Sequence, residues 1–136
     1  MKKALVLCTG NSCRSQMAEG LWNHLGEGRW RVHSAGSKPA GFVHPMAVQV
    51  MKEIDIDISK NKSRHIEEFS HEQFDVVVTV CDRAKKTCPT LPGAPVQHHW
   101  PFDDPAFAEG SEEQRRQVFR RVRDEIRERI ESFLAG

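Results

Sequence analysis

The stretch that most constrains this chain is a short apolar run ending abruptly in a cysteine, Leu5-Val6-Leu7-Cys8, followed by Thr9-Gly10-Asn11-Ser12-Cys13 and then Arg14-Ser15. Ala4 to Leu7 reads as a buried strand. From Arg14 to Leu25 the apolar residues Met17, Ala18, Leu21, Trp22 and Leu25 recur at a helical period. The turn between strand and helix presents backbone N–H groups and a helix N-terminus above Cys8, which suits an anion. Arg14 adds a planar charged fork matched to a tetrahedral oxyanion. A thiol in that positive field loses its proton readily and becomes a nucleophile.

A lone cysteine at a strand end is more often a small buried hydrophobe. The composition of the intervening loop argues for chemistry instead. Gly10 and Asn11 tolerate positive φ, and Ser12 and Ser15 can donate to a thiolate.

The rest of the chain repeats the pattern. Trp30 to Ala35 reads as a second strand, and His44-Pro45 opens a helix with Met46, Val50, Met51 and Ile54 on its buried side. A short helical piece is expected around Ile66 to Phe69. Phe74 to Val80 contains Val76-Val77-Val78, apolar and β-branched as a central parallel strand should be, and it ends at Cys81. Ligands of open α/β sheets bind outside the carboxyl ends of the strands, so Cys8 and Cys81 can meet over one pocket. Ala94 to His99 reads as an edge strand, and Trp100 to Phe107 as a loop carrying Asp103, Asp104 and Pro105. Glu112 to Leu134 is a helix with Val118, Val122, Ile126, Ile130 and Phe133 inward; its other face is a solvated charge run with pairs such as Glu125 and Arg129. This order predicts an α/β domain spanning 1–136, a four-stranded parallel sheet with helices on both faces.

The 20 basic and 19 acidic residues leave a formal charge of +1, which gives no electrostatic reason to expect nucleic acid or a membrane surface as partner. The apolar run near Met1 is too short for a secretion signal, and no stretch could span a bilayer, so a cytoplasmic protein is expected. Four cysteines in such a compartment point to catalysis or metal rather than structural disulfides. Zinc is not expected: there is no C-x2-C pair, and the adjacent His98 and His99 would face opposite ways on a strand. His44, His65 and His71 belong to no constellation and read as surface residues.

Cys8-Thr9-Gly10-Asn11-Ser12-Cys13-Arg14-Ser15 resembles the signature loop of the low-molecular-weight tyrosine phosphatase family, and Ser34-Ala35-Gly36 and the late Asp104-Pro105 match further segments of it. The nearer match is to its thioredoxin-coupled arsenate reductase branch and covers nearly the whole chain. That branch carries two more cysteines separated by six residues, the spacing of Cys81 and Cys88. The resemblance implies strand order 2-1-3-4. It implies catalysis by Cys8, Cys81, Cys88, Arg14 and Asp104, with the oxyanion held by Thr9, Gly10, Asn11, Ser12, Cys13, Arg14 and Ser15.

On this reading Cys8 attacks arsenate, Asp104 protonates the departing oxygen, and Cys81 and Cys88 pass a disulfide outward to thioredoxin. No tightly bound cofactor or metal is expected, phosphate or sulfate should also fit the loop, and the chain is expected to be a monomer. Some relatives hold potassium beside the loop through a carboxylate after the second helix. Ser63-Arg64 stands there, so potassium is not expected and Arg64 supplies positive charge instead. The alternatives are a tyrosine phosphatase, which would leave Cys81 and Cys88 unexplained, and a non-catalytic oxyanion sensor. If Asp82 to Thr87 is helical, the Cα atoms of Cys81 and Cys88 lie roughly 10 Å apart along the axis, so a disulfide between them requires unwinding.

Overall fold

The computed structural model describes residues 1–80 and 96–136. The elements are β1 (Lys2–Cys8), α1 (Arg14–Leu25), β2 (Trp30–Gly36), α2 (Pro45–Lys52), β3 (Val76–Thr79), β4 (Val96–His99) and α3 (Glu112–Ala135), with short 3-10 helices at Ile66–Phe69 and Pro105–Phe107. All strand pairs are parallel and the sheet order is β2-β1-β3-β4, as the resemblance implies. β3 is shorter than the Phe74 to Val80 run, because Phe74 instead packs over one face of the sheet. The expected fourth strand begins at Ala94, outside the described residues; Val96 to His99 is paired as expected.

A parallel strand between two others has both faces covered, and β1 shows it: Ala4 to Cys8 are all buried. Alternation along the strand divides the core. Ala4, Val6 and Cys8 face one cluster with Met17, Leu21 and Trp22 of α1, Val50 of α2 and Phe119, Val122, Ile126 and Ile130 of α3. Leu5 and Leu7 face a smaller cluster with Ile66, Phe69 and Phe74. The three longer helices thus cover one face, and the 3-10 helix Ile66–Phe69 covers the other.

Trp22 is the hub of the larger cluster, its ring centroid 5.1 Å from Trp30, 5.7 Å from Trp100 and 5.4 Å from Phe133. α3 starts in a capping box, with Ser111 accepting from the Gln114 N–H and Gln114 accepting from the Ser111 N–H. Its charged face differs from expectation in two ways. Glu125 pairs with Arg121, while the Arg129 guanidinium lies 5.5 Å from the Trp100 ring centroid. Arg123 is buried and ties α3 to α2 by donating to the Val50 carbonyl at 2.8 Å and to Glu53 at 3.0 Å. No helix among the described residues is long and apolar enough to cross a membrane.

The register decides where the site lies. Cys8 is level with Gly36, and Leu7 with Thr79, so the carboxyl ends of β1, β2 and β3 share one edge. Phe119 pins α3 beneath that edge and is fully buried. Phe119→Ala is expected to lower the unfolding free energy by about 3–5 kcal/mol in a urea titration. A loss within about 0.5 kcal/mol, as at an ordinary surface site, would show that α3 is not anchored there.

Candidate active site

Cys8 is the last residue of β1, and its Sγ lies at the floor of the Thr9 to Cys13 loop. Two groups converge on it: Ser15 Oγ at 2.8 Å and the backbone N–H of Asn11, which donates at 3.1 Å. The loop carbonyls are all engaged. Thr9 O accepts from Lys38 N–H at 2.9 Å, Gly10 O from Ala40 N–H at 2.8 Å, Asn11 O from Gln16 Nε2 at 3.2 Å and Ser12 O from His44 N–H at 3.0 Å. In a trans peptide the C=O and the next N–H point in opposite directions. Pulling these carbonyls outward therefore turns the N–H groups of residues 10–13 toward the space above Cys8. The Asn11 N–H, aimed at Sγ while Gly10 O is held by Ala40, is the observed instance.

Asn11 is fully buried with φ 47°, the left-handed conformation its side chain tolerates. The Arg64 backbone N–H can only donate, so the atom 2.8 Å from it must be Asn11 Oδ1. Nδ2 then donates to Ser15 Oγ at 2.8 Å and to Ser34 Oγ at 2.9 Å. With Ser15 accepting from Asn11, its hydroxyl hydrogen is free to point at Cys8 Sγ, and such donors favour the thiolate. Gly36 closes the back of the loop; a Cβ there would sit 2.4 Å from Thr9 O and 2.9 Å from Cys8 O.

Arg14, the first residue of α1, reaches across the mouth of the loop. Nη1 donates to the Phe102 carbonyl at 2.9 Å, and Nη2 pairs with Asp104 Oδ2 at 3.1 Å. The other Asp104 oxygen caps the 3-10 helix Pro105–Phe107 by accepting from the Ala106 N–H at 3.0 Å. The neighbouring Asp103 pairs with Arg121, away from Arg14. Cys13 is buried at the start of α1, and burial first, then the Asp104 charge, pushes its thiol up to about 12. It stays protonated at neutral pH. Cys81, Cys88 and the segment expected to unwind lie outside the described residues.

Sequence reasoning missed the polar network behind the loop. Gln16, fully buried, donates to the Asn11 and Lys62 carbonyls, and its Oε1 accepts from Asn61 Nδ2 at 3.2 Å. Glu19 Oε1 accepts from Ser34 Oγ at 3.1 Å, and Oε2 accepts from Asn61 Nδ2 at 2.7 Å. The signal in the sequence was that Gln16 and Glu19 lie one turn apart on α1, beside its apolar stripe. The histidines also need correction. His44 and His65 are half-buried caps, accepting through Nδ1 from the Met46 and Glu67 N–H groups; His71 is exposed as expected.

Among the described residues, no group of three or more His, Cys, Asp or Glu side chains is placed to hold a metal. The potassium question turns on the donors beside the loop. Asn11 Oδ1 already accepts from Gln16 and Arg64, Ser63 Oγ donates to Gly10 O, and the positive charge of Arg64 acts on Glu19.

A parallel sheet whose first strand delivers a cysteine into a loop of inward amides, with a guanidinium and a carboxylate across its mouth, defines the phosphatase-like class of cysteine-based oxyanion enzymes. The chain belongs to the low molecular weight phosphotyrosine protein phosphatase family, whose model matches residues 3–136. It is 54% identical over 137 residues to an arsenate reductase of Halalkalibacterium halodurans, covering 98% of this chain and 96% of that one. It is 52% identical over 133 residues to an arsenate reductase of Staphylococcus aureus strain N315, covering 97% and 95%. Among solved structures, an arsenate reductase in the phosphate-binding state superimposes with a TM-score of 0.81 at 38% identity, covering 99% of this chain and 98% of that one. A low molecular weight protein tyrosine phosphatase from T. tengcongensis has a TM-score of 0.81 at 22% identity, covering 99% of both chains, and so shares the fold.

Glu19 gives the site a pH signature. It borders a polar cavity of about 170 Å³ with Lys60, Lys62 and Arg64, and burial outweighs the Ser34 hydrogen bonds and the Arg64 charge, pushing its carboxyl up to about 7. An acid whose value is higher folded than unfolded holds its proton longer in the folded state. Its contribution therefore falls as pH rises from about 4.5 through about 7. Thermal melts at about pH 5 and about pH 8 should show a smaller difference in Glu19→Gln than in the wild type. An unchanged difference would mean that Glu19 ionises normally.

Proposed function

We propose that the chain is an arsenate reductase working from Cys8, and that residues 1–136 form one catalytic domain. The observation that carries this reading is the Cys8 Sγ, approached by Ser15 Oγ and the Asn11 N–H at the floor of a loop whose carbonyls are held from outside. Whole-length identity of about half to named arsenate reductases supports arsenic as the reacting centre.

An arsenate bound by the amides of residues 10–13 and by Arg14 takes over guanidinium hydrogen bonds now given to Phe102 and Asp104. That exchange frees Asp104 Oδ2 to act as general acid. Cys8 thiolate then forms a sulfur–arsenic bond, an arsenic–oxygen bond breaks, and the oxygen leaves as water with the Asp104 proton. Cys81 attacks Cys8 Sγ; the sulfur–arsenic pair stays with arsenic, which departs two electrons richer as arsenite. Cys88 attacks Cys81 and releases the Cys8 thiolate. The Cys81–Cys88 disulfide is reduced by the thioredoxin dithiol, so electrons balance over the cycle. This reading puts the protein in the cytoplasm as a monomer, with arsenate and thioredoxin as partners.

Hydrolysis of phosphate esters is the second reading, favoured by the family to which the chain belongs. It needs only Cys8, Arg14, Asp104 and water, and it gives Cys81 and Cys88 no role. The positions after Asp104-Pro105, where phosphatases commonly carry paired tyrosines, hold Ala106 and an exposed Phe107.

Arsenite release should be measured with thioredoxin, thioredoxin reductase and NADPH, beside hydrolysis of an aryl phosphate. Cys8→Ser should abolish both activities, and Asp104→Ala should slow both. Cys81→Ser and Cys88→Ser should each stop repeated arsenate turnover while leaving hydrolysis intact. Retention of near wild-type arsenite release by Cys8→Ser would refute the nucleophile. Equal loss of both activities in the Cys81 and Cys88 variants would make those cysteines structural.

A further inference from the structure

The carbonyls of Thr9, Gly10 and Ser12 are held by three backbone N–H groups of one short segment: Lys38, Ala40 and His44. This segment is a strut outside the loop, and His44 is where it joins the helical layer. The His44 N–H holds Ser12 O at 3.0 Å, which turns the Cys13 N–H inward. Pro45 has no N–H to satisfy, so the first exposed donor of α2 is the Met46 N–H, and His44 Nδ1 accepts it at 3.1 Å. The ring also lies on Phe119 of α3, with centroids 4.8 Å apart. One residue thus joins the anion loop, the start of α2 and the core.

The bond to Met46 settles the tautomer. A backbone N–H only donates, so Nδ1 is bare and the neutral ring carries its proton on Nε2. Protonating Nδ1 sets two donors against each other and adds a cation at the positive end of α2. The cap is then lost, and with it the fixed backbone that holds Ser12 O. Two charged groups face the ring from the surrounding elements: Arg115 of α3 opposes protonation, and Asp104, itself paired with Arg14, favours it. Burial is the largest influence and keeps the ring below the ordinary imidazole value of 6.5, so the neutral cap prevails at neutral pH.

We propose that His44 is a positioning residue for the anion loop, competent only while its neutral ring caps α2, so that acidification loosens the loop's grip on a tetrahedral oxyanion. The proposal rests on the reading of the loop as the oxyanion site. It concerns binding and leaves the sulfur chemistry untouched.

Inorganic sulfate is the probe, because it stays a dianion across the range used, and its affinity is measured by calorimetry on the whole chain. An N-cap contributes about 1 kcal/mol, so wild-type affinity should fall by up to about fivefold along a profile taken from about pH 7.5 down to about pH 4, with the fall below the ordinary imidazole range. His44→Asn, a cap that does not titrate, should bind like the wild type at the higher pH and keep that affinity at the lower. His44→Ala should bind weakly at both. The three proteins differ only at residue 44, so differences among their pH profiles report on that side chain. A fall in His44→Asn equal to that of the wild type, or wild-type affinity in His44→Ala, overturns the role of His44. Wild-type protein that binds no sulfate at either pH overturns the reading of the loop itself, and the His44 proposal with it.

Discussion

Everything at this site depends on where the peptide groups between Thr9 and Cys13 point. A loop of bare amides facing inward is unstable by itself, because its carbonyls would be buried or crowded without partners on the outer side. Here each of those carbonyls has a donor: Lys38, Ala40 and His44 from the strut, and Gln16 from α1. The Asn11 side chain completes the arrangement from within. It bonds Ser15, Ser34, Gln16 and Arg64, which brings the loop, α1, β2 and the segment after α2 into one buried network. Such a network is stable only when nearly every member is satisfied, so it specifies one loop conformation.

The parallel sheet supplies the frame for that loop. β1 lies between β2 and β3, and its end is level with Gly36. The absence of a side chain at Gly36 lets β2 approach the loop backbone so closely that a methyl group would collide with Thr9 O. Below, Trp22, Phe119 and the α3 stripe fill the space under the helices, and Arg123 bridges α2 and α3. At the mouth, Arg14 holds Asp104 through an ion pair at 3.1 Å. A tetrahedral oxyanion that displaces the carboxylate would take over the same charged donors, so one charge-assisted contact replaces another.

The half-buried Glu19 carboxylate completes the polar network behind the loop. Its oxygens are met by Ser34 and Asn61, and the charge of Arg64 reaches it from the segment where the resemblance marked a departure. That departure, Ser63-Arg64 in place of a carboxylate, was visible in the residues. Its counterpart in Glu19 was not, because a glutamate on an amphipathic helix normally faces solvent. His44 reads in the sequence as a surface residue opening a helix, and what its ring and backbone hold depends on neighbours in space.

What the sequence determined by itself was local and periodic. The apolar run before Cys8, the helical spacing after Arg14 and the β-branched run Val76-Val77-Val78 specify elements through propensity and pattern, which act between near neighbours. Asn11 could be read as a left-handed position because that preference belongs to the residue. What only the tertiary structure decided were interactions between segments far apart in the chain: which donors hold the loop carbonyls, that Arg14 meets Asp104 while Asp103 meets Arg121, and that Arg129 lies on Trp100 while Glu125 turns to Arg121. Those choices depend on the register of three strands and the seating of three helices, and no pattern of neighbouring residues encodes a distance across the core.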